Sequence, residues 1–282
     1  MPGDSERAGS YTPCGEPTNA PVKSDPATDP GARFRTDGYV RLDGLFSGAE
    51  IASLKDEIDR AARLARGGSS LDRGGLTFEE NVFLRSAPVR DFVSQQRLIE
   101  VLVQIVGPGF LVRWDQCVRK RSGAAEFPWH QDNAYSRLRD EHVQVWIALT
   151  AGTRANGGLR LAPGGPRRRL PHVRTGNHLR CEVPAGREVL VEAAPGDVVV
   201  FSSFVPHSTG PNTTEADRIA YVVEYMSLES YDPLLRPPYY VVAEHGERSV
   251  RFAGSYPGRT RGRRLRALPL LAATRARELI GR

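Results

Sequence analysis

The sequence predicts a mainly β domain, a sandwich or barrel, with flanking helices placed ahead of it (α+β). Three observations carry this. After about residue 110 the chain breaks into short segments rich in β-branched and aromatic residues, several of them separated by Gly, Pro or Asp. Before that point two stretches have the spacing of amphipathic helices. Between successive strand-like segments there is no helical pattern of about 10–15 residues, and no internal repeat, which disfavours a Rossmann-type sheet.

In chain order, residues 1–30 are rich in Pro, Ser, Thr, Gly and Asp without an apolar period, and a disordered segment is expected. The folded part is expected from near Phe34. In "FSGAEIASLKDEIDRAARLARGG", Ser47 and Glu50 have the spacing of a capping box, and Ile51, Leu54, Ile58 and Leu64 fall on one face. Gly67 and Gly68 supply a stop, and residues 67–77 read as a mobile glycine-rich loop. A second helix fits "VRDFVSQQRLIEVLVQIVG", ending at Gly107 and Pro108. Strands are expected in "FLVRWDQCVRK", "HVQVWIALT", "GGLRLAP", "REVLVEA", "DVVVFSSF" and "RIAYVVEYMS". In the second of these, Val143, Val145, Ile147 and Leu149 alternate as a half-buried strand should. From Gly254 the tail turns basic and then helix-like. The expected organisation is thus residues 1–30, a domain over 31–253 and a tail over 254–282.

The 282 residues and 40% hydrophobic content suffice for a sizeable core. No run approaches a membrane span, and the N-terminus lacks the pattern of a signal peptide, so a soluble, cytoplasmic protein is expected. Cys14, Cys117 and Cys181 are odd in number and lack CxxC spacing, which predicts isolated reduced thiols. The net charge of +6 is almost all arginine, with only Lys23, Lys55 and Lys120 as lysines. Together with much Gly, Ala and Pro, that bias reads as codon usage in a GC-rich genome. The charge is therefore discounted, and nucleic acid is disfavoured as a partner although "RTRGRRLR" and "RRRLPHVR" carry the opposing reading.

The chemistry centres on "FPWHQDNAY". If "PWHQD" is extended, His130 and Asp132 project from the same face and can serve one metal ion, while Gln131 points away unless the strand has begun to turn. A third ligand must come from elsewhere. His142 starts a strand, His172 and His178 lie in an arginine-rich loop, and His245 sits in a polar segment; for each a solvated side chain is expected. His207 differs. In "PGDVVVFSSFVPHSTGPN" the Pro195-Gly196-Asp197 turn launches an apolar strand that ends at Pro206-His207 and delivers the imidazole to a barrel mouth. Two histidines and one carboxylate suit Fe(II) with open positions, and zinc can use the same set. Arg218, eleven residues after His207, opens the following strand. Its planar guanidinium suits bidentate binding of a carboxylate, which a zinc hydrolase does not require and an iron enzyme with a dicarboxylate cosubstrate does.

The pattern "WHQDNAY … GDVVVFSSFVPHSTGPN … RIAYVVEY" resembles the phytanoyl-CoA dioxygenase family of Fe(II)/2-oxoglutarate oxygenases. "FRTDGYVRLDGLFSGAEIASLKDEID" is also similar to that family's opening strand and helix, so the resemblance spans Phe34 to Ser227. It implies a double-stranded β-helix (jelly roll, cupin-like) with iron near one end. It implies His130, Asp132 and His207 as iron ligands, Arg218 as partner of the 2-oxoglutarate distal carboxylate, and Thr209 as a hydroxyl supporting that carboxylate. Gln131 and Trp146 join as pocket residues. The implied reaction uses O2 and 2-oxoglutarate to hydroxylate a small molecule, acidic or polar, with succinate and carbon dioxide as coproducts. Asp132 disfavours halogenation, since the related halogenases carry a small residue there; desaturation, cyclisation and epimerisation stay open. One departure stands out. Where the family often has a "PGSH"-like turn this chain reads Pro163-Gly164-Gly165-Pro166 followed by Arg167 to Arg169. That loop usually borders the substrate entrance. Residues 67–80, 136–141 and 165–180 are the loops expected to line the pocket.

Overall fold

The computed structural model describes residues 29–64, 71–165, 167–176 and 178–258. Residues 1–28 of the N-terminal segment, Cys14 within it, the Gly67-Gly68 stop and the tail beyond Gly258 lie outside the described residues.

The chain opens with α1 (Pro30–Asp37) and β1 (Tyr39–Leu42). The first helix begins four residues ahead of Phe34, where folding was expected to start. The reason is local: the Asp29 carboxylate accepts from the Gly31 amide at 2.9 Å and Pro30 opens the helix. The next element, α2 (Gly48–Leu64), starts as predicted, with Ser47 and Glu50 exchanging backbone and side-chain hydrogen bonds. There follow β2 (Leu71–Arg73), β3 (Leu76–Glu80), α3 (Val82–Arg85), α4 (Ala87–Val93) and α5 (Gln96–Val106). The single helix expected over 89–107 is therefore two. Ser94 breaks it: its hydroxyl donates back to the Arg90 carbonyl at 2.8 Å, and its own carbonyl accepts from Arg248 at 2.9 Å instead of from the next turn.

The β region comprises β4 (Phe110–Lys120), β5 (Phe127–His130), the short α6 (Asp132–Ser136), β6 (Val143–Ala148), β7 (Leu159–Leu161) and β8 (Val173–Thr175). It continues with β9 (His178–Arg180), β10 (Val189–Val191), β11 (Val198–Ser202), β12 (His207–Thr209), β13 (Arg218–Ser227), β14 (Tyr239–Glu244) and β15 (Glu247–Ala253). All six predicted strands are present. Among the described residues they form a large antiparallel sheet ordered β1-β11-β6-β13-β4-β14-β15, with β3 and β2 continuing from part of the β4 edge, and a four-stranded sheet ordered β10-β7-β12-β5. This is the expected jelly-roll architecture, with helices on the outer face of the large sheet.

Strand alternation explains how the large sheet serves two purposes. Val143, Val145, Ile147 and Leu149 of β6 and its exit pack into one core with Ile51, Leu54 and Leu98 of the helices, as do Ile219, Tyr221, Val223 and Tyr225 of β13. The other face gives Trp146, Ala148, Ala220 and Val222 to a second core, shared with Leu159 and Leu161 of the small sheet. The β6 strand is thus buried on both faces, where half-burial was expected, because helices cover what would otherwise face water.

The apolar strand expected to end at Pro206-His207 is also divided. The β11 strand stops at Ser202 in the large sheet, and His207 begins β12 in the small one. The turn ahead of β11 is tightly built. Gly196 has φ 98, and a Cβ there would stand 2.0 Å from the Phe46 carbonyl oxygen, so any larger residue would force the backbone to shift. Asp197 fastens the same turn, accepting from Gly44 and Ala194 amides at 2.7 and 2.9 Å. Cys117 and Cys181 are buried free thiols, as predicted. No helix among the described residues is long and apolar enough to cross a membrane.

Candidate metal centre

Three predicted ligands converge where the small sheet meets α6. His207 on β12 is the cross-strand partner of His130 on β5, and their rings lie 4.1 Å apart. Asp132 opens α6 immediately after the extended Gln131. Its Oδ1 is 3.7 Å from His130 Nε2 and its Oδ2 is 3.7 Å from His207 Nε2. Ligand atoms of the three residues all lie within 4.8 Å of one another.

Both imidazoles are oriented by backbone carbonyls. His130 Nδ1 pairs with the Pro128 carbonyl at 2.9 Å and His207 Nδ1 with that of Val205 at 3.2 Å. A ring nitrogen facing a carbonyl must carry the proton, so each Nε2 presents a lone pair toward Asp132. Burial pushes His130 down to about 3, with His207 adding to the shift and Asp132 opposing it. Burial likewise pushes His207 down to about 4. Neutral imidazoles are the form a metal needs. The Asp132 carboxyl is pushed up by burial, the shift a bound cation would reverse. Donor set, tautomers and spacing fit a divalent ion with two imidazoles and one carboxylate.

A cavity of about 470 Å³ extends from these residues between the two sheets. That volume lies within the roughly 300–1,000 Å³ typical of small-molecule sites. The β13 strand supplies one wall, with Arg218, Val222 and Glu224 all lining the cavity. Arg218 is 1% exposed, and its Nε and one terminal nitrogen have no hydrogen-bond partner among the described residues. Burial lowers its pKa only to about 10, so it stays charged. A buried guanidinium with unpaired donors aimed at a cavity asks for an anionic ligand. Thr209 and Trp146 line the same cavity, as expected. Lys120, the cross-strand partner of Arg218, donates to Thr209 Oγ1 at 3.2 Å and so fixes that hydroxyl. Burial, then Arg218, lowers Lys120 to about 7.

Several expected placements are corrected. Gln131 does not line the cavity. It is fully buried behind it, donating to the Arg168 carbonyl and accepting from the Leu170 amide, because its backbone is still extended and strand alternation points it away from His130 and Asp132. His142 is not solvated but 2% exposed, 3.6 Å from Glu224, in the loop leading into the buried β6. His172 accepts from the Gln131 amide at 3.2 Å, and His178 packs edge-on against Phe127. His245 is exposed at a turn, as expected. No described residue of the Pro163–Arg169 loop lines the cavity: Arg167 lies over the Phe34 ring and donates to its carbonyl, holding that side chain against α1. Of the segments expected as loops, Leu76, Phe78 and Glu80 line the cavity from β3, since residues 71–80 form a strand pair and not a loop; Ser136 lines it from α6, and no described residue of 165–180 does.

Sequence reasoning missed the polar wall. Arg113, Gln144, Glu224 and Asp232 all line the cavity. Arg113 pairs with Glu224 through one terminal nitrogen and with Asp232 through Nε at 2.7 Å, and Gln144 donates to Glu224 at 2.9 Å. Burial acts to raise the Glu224 pKa, but Arg113 and its other partners outweigh it and hold the carboxyl low. Arg113 reaches the wall because a bulge in β4 opposite Glu224 and Tyr225 inserts it as an extra residue. The signal for Glu224 was in the sequence: a lone carboxylate in the apolar run "RIAYVVEY", an even number of residues after Arg218.

The phytanoyl-CoA dioxygenase (PhyH) family matches residues 34–220. Dioxygenase lolE1 of Epichloe uncinata is 28% identical over 223 residues, covering 73% of this chain and 85% of that protein. The 1-deoxypentalenic acid 11-beta-hydroxylase of Streptomyces arenae is 27% identical over 208 residues, covering 63% and 72%. The solved structure of EvdO2 from Micromonospora carbonacea var. aurantiaca, complexed with 2-oxoglutarate, superposes with a TM-score of 0.60 at 26% identity, covering 74% of this chain and 94% of that one.

Proposed function

Because the chain belongs to the phytanoyl-CoA dioxygenase family, we propose that it is an Fe(II)- and 2-oxoglutarate-dependent dioxygenase that hydroxylates an unactivated C–H bond of a small molecule, as a tailoring step in natural-product biosynthesis. The observation that carries this reading is the pairing of two features in one cavity: the His130-Asp132-His207 donor set, and the buried Arg218 with unpaired donors. A zinc hydrolase accounts for the first and leaves the second without purpose. Nucleic-acid binding accounts for neither.

With iron and 2-oxoglutarate bound, the site would supply the activation of O2 that splits one oxygen to substrate and one to succinate, with loss of carbon dioxide. The chain's own residues do the rest. His130 and His207 offer Nε2 lone pairs while their Nδ1 protons stay on backbone carbonyls. Asp132 brings the charge that a divalent ion needs. Arg218 receives the distal carboxylate of 2-oxoglutarate, and Thr209, held by Lys120, offers its hydroxyl to the same group. Trp146, Leu159, Phe201 and Val222 keep water from this end. Asp132 fills the position that halogenation would leave for a halide. Desaturation, cyclisation and epimerisation use the same residues and differ by substrate pose.

The test is anaerobic titration of the iron-loaded protein with 2-oxoglutarate. A visible charge-transfer band is expected; its absence, with iron shown to be bound, overturns the reading.

A further inference from the structure

The cavity is electrically lopsided. At one end stand Arg218 and Lys120, whose Nζ donates to Thr209 and to the Ala125 carbonyl rather than to a carboxylate. At the other end two carboxylates, Glu224 and Asp232, share one guanidinium, Arg113. Both acids are almost wholly buried, at 4% and 1% exposed. Their sum with Arg113 is one uncompensated negative charge. The groups able to offset it are few. His142, 3.6 Å from Glu224, has neither ring nitrogen hydrogen-bonded among the described residues, and burial pushes it down to about 4, so it stands neutral. Gln144 contributes an amide dipole and no charge. Asp132, within electrostatic reach of Glu224, adds negative charge and is the residue a metal would balance.

Acceptors are also in surplus. Each Glu224 oxygen takes one hydrogen bond, from Gln144 and from Arg113, and a carboxylate offers about four lone-pair sites in all. Ser136 Oγ, buried on the same cavity, has no partner among the described residues. Trp114, the cross-strand partner of Glu224, lines the cavity too, and an indole face favours a cation. A buried excess charge is costly unless a ligand brings its opposite.

From this wall we infer that the substrate carries a basic nitrogen, protonated when bound, which lies against Glu224 beside the metal centre. The inference rests on the oxygenase reading for the claim that Arg218 is taken by the cosubstrate. Of the expected acidic or polar substrate it keeps the polar part and reverses the acidic one: Arg167, Arg168 and Arg169 are exposed and off the cavity lining, Arg113 is neutralised by Glu224 and Asp232, and Arg218 faces the opposite end of β13. Arg218 and Glu224 stand six positions apart on the strand, roughly 20 Å, so an anion held by Arg218 does not reach the Glu224 wall.

The test uses three probes of one shape: phenethylamine, 2-phenylethanol and 3-phenylpropanoate. Each is titrated into the anaerobic protein loaded with Fe(II) and 2-oxoglutarate, reading displacement of the visible band, and into metal-free protein, reading the thermal midpoint. The amine should bind at least about tenfold tighter than the alcohol and the carboxylate, the effect of one charge-assisted hydrogen bond. E224Q should bring the amine to the level of the alcohol, and D232N should weaken it less. A carboxylate that binds as well as the amine overturns the inference, as does failure of all three to bind, or unchanged amine affinity in folded E224Q. Should E224Q not fold, the wild-type ranking alone decides. Should no band form, the oxygenase reading falls, while the ranking in metal-free protein still reports the charge of the wall.

Discussion

Replacing Arg218 with methionine should move stability and cosubstrate affinity in opposite directions. In the metal-free protein Arg218 is a buried charge with two nitrogens unpaired among the described residues. An unsatisfied buried donor costs about 1–3 kcal/mol, and an apolar side chain of similar length removes that cost. For a chain of this size about 1 kcal/mol moves the midpoint by roughly 2–4 °C, so R218M should melt several degrees higher than wild type. The loss appears on adding 2-oxoglutarate. Two charge-assisted hydrogen bonds to the distal carboxylate are worth roughly 1.5–3 kcal/mol each, which gives a fall in affinity of roughly 10²- to 10⁴-fold. Thermal melts without metal and anaerobic titration with Fe(II) read the two effects separately. R218K should not rescue binding, because a point charge cannot replace the planar fork. The reasoning is refuted if R218M binds 2-oxoglutarate within about threefold of wild type, a difference below about 0.7 kcal/mol. It is also refuted if R218M melts lower than wild type without ligand.

Three further outcomes are expected. D132A or H207A should abolish both iron binding and succinate formation, since each removes one of three donors; retained succinate formation in either would exclude it as a ligand. Metal-free protein should lose stability as pH falls from about 6.5 toward 4, because unfolded His142 takes up a proton in that window and the buried folded form does not. His130 and His207 act in the same direction and Asp132 against it, so the diagnostic is the difference: H142L should flatten the slope by up to about 1.4 kcal/mol per pH unit in urea melts, and equal slopes would contradict the assignment. G196A should destabilise by roughly 1–3 kcal/mol through its positive φ, and by more if the Phe46 carbonyl cannot move; an unchanged urea midpoint would show that the turn relaxes freely.

What the sequence made legible was what strand alternation and side-chain chemistry report locally. The six strands, the capping box at Ser47 and the metal donors all have signals within a few residues. What escaped depends on where distant segments meet. The break at Ser94 requires the Arg248 side chain, far along the chain, to claim a helix carbonyl. His142 reads as a polar residue at a strand start, and only the fold reveals the carboxylate beside it. Gln131 joins the pocket only through the family resemblance, while strand alternation points it away from the two ligands beside it. The backbone at this residue is still extended, so alternation prevails and the side chain between two inward groups points away from the cavity.

The β13 strand shows why the site and the core cannot vary independently. Its even positions carry Arg218, Val222 and Glu224 into the cavity, while its odd positions carry Ile219, Tyr221, Val223 and Tyr225 into the helix-covered core. A slip of one residue would send both charged groups into apolar packing and bring aromatics to the metal side. The register is held from both edges, by β4 and by β6, and Tyr221 adds a bond from its hydroxyl to the buried Asp115. Asp115 in turn accepts from the Phe83 amide at 3.0 Å, tying β4 to α3. The bulge at Arg113 is the one interruption in the pairing of β13 with β4, and it falls opposite Glu224. The strand therefore keeps its regular pairing where it must place Arg218, and yields it only where a second charged side chain has to enter the same wall.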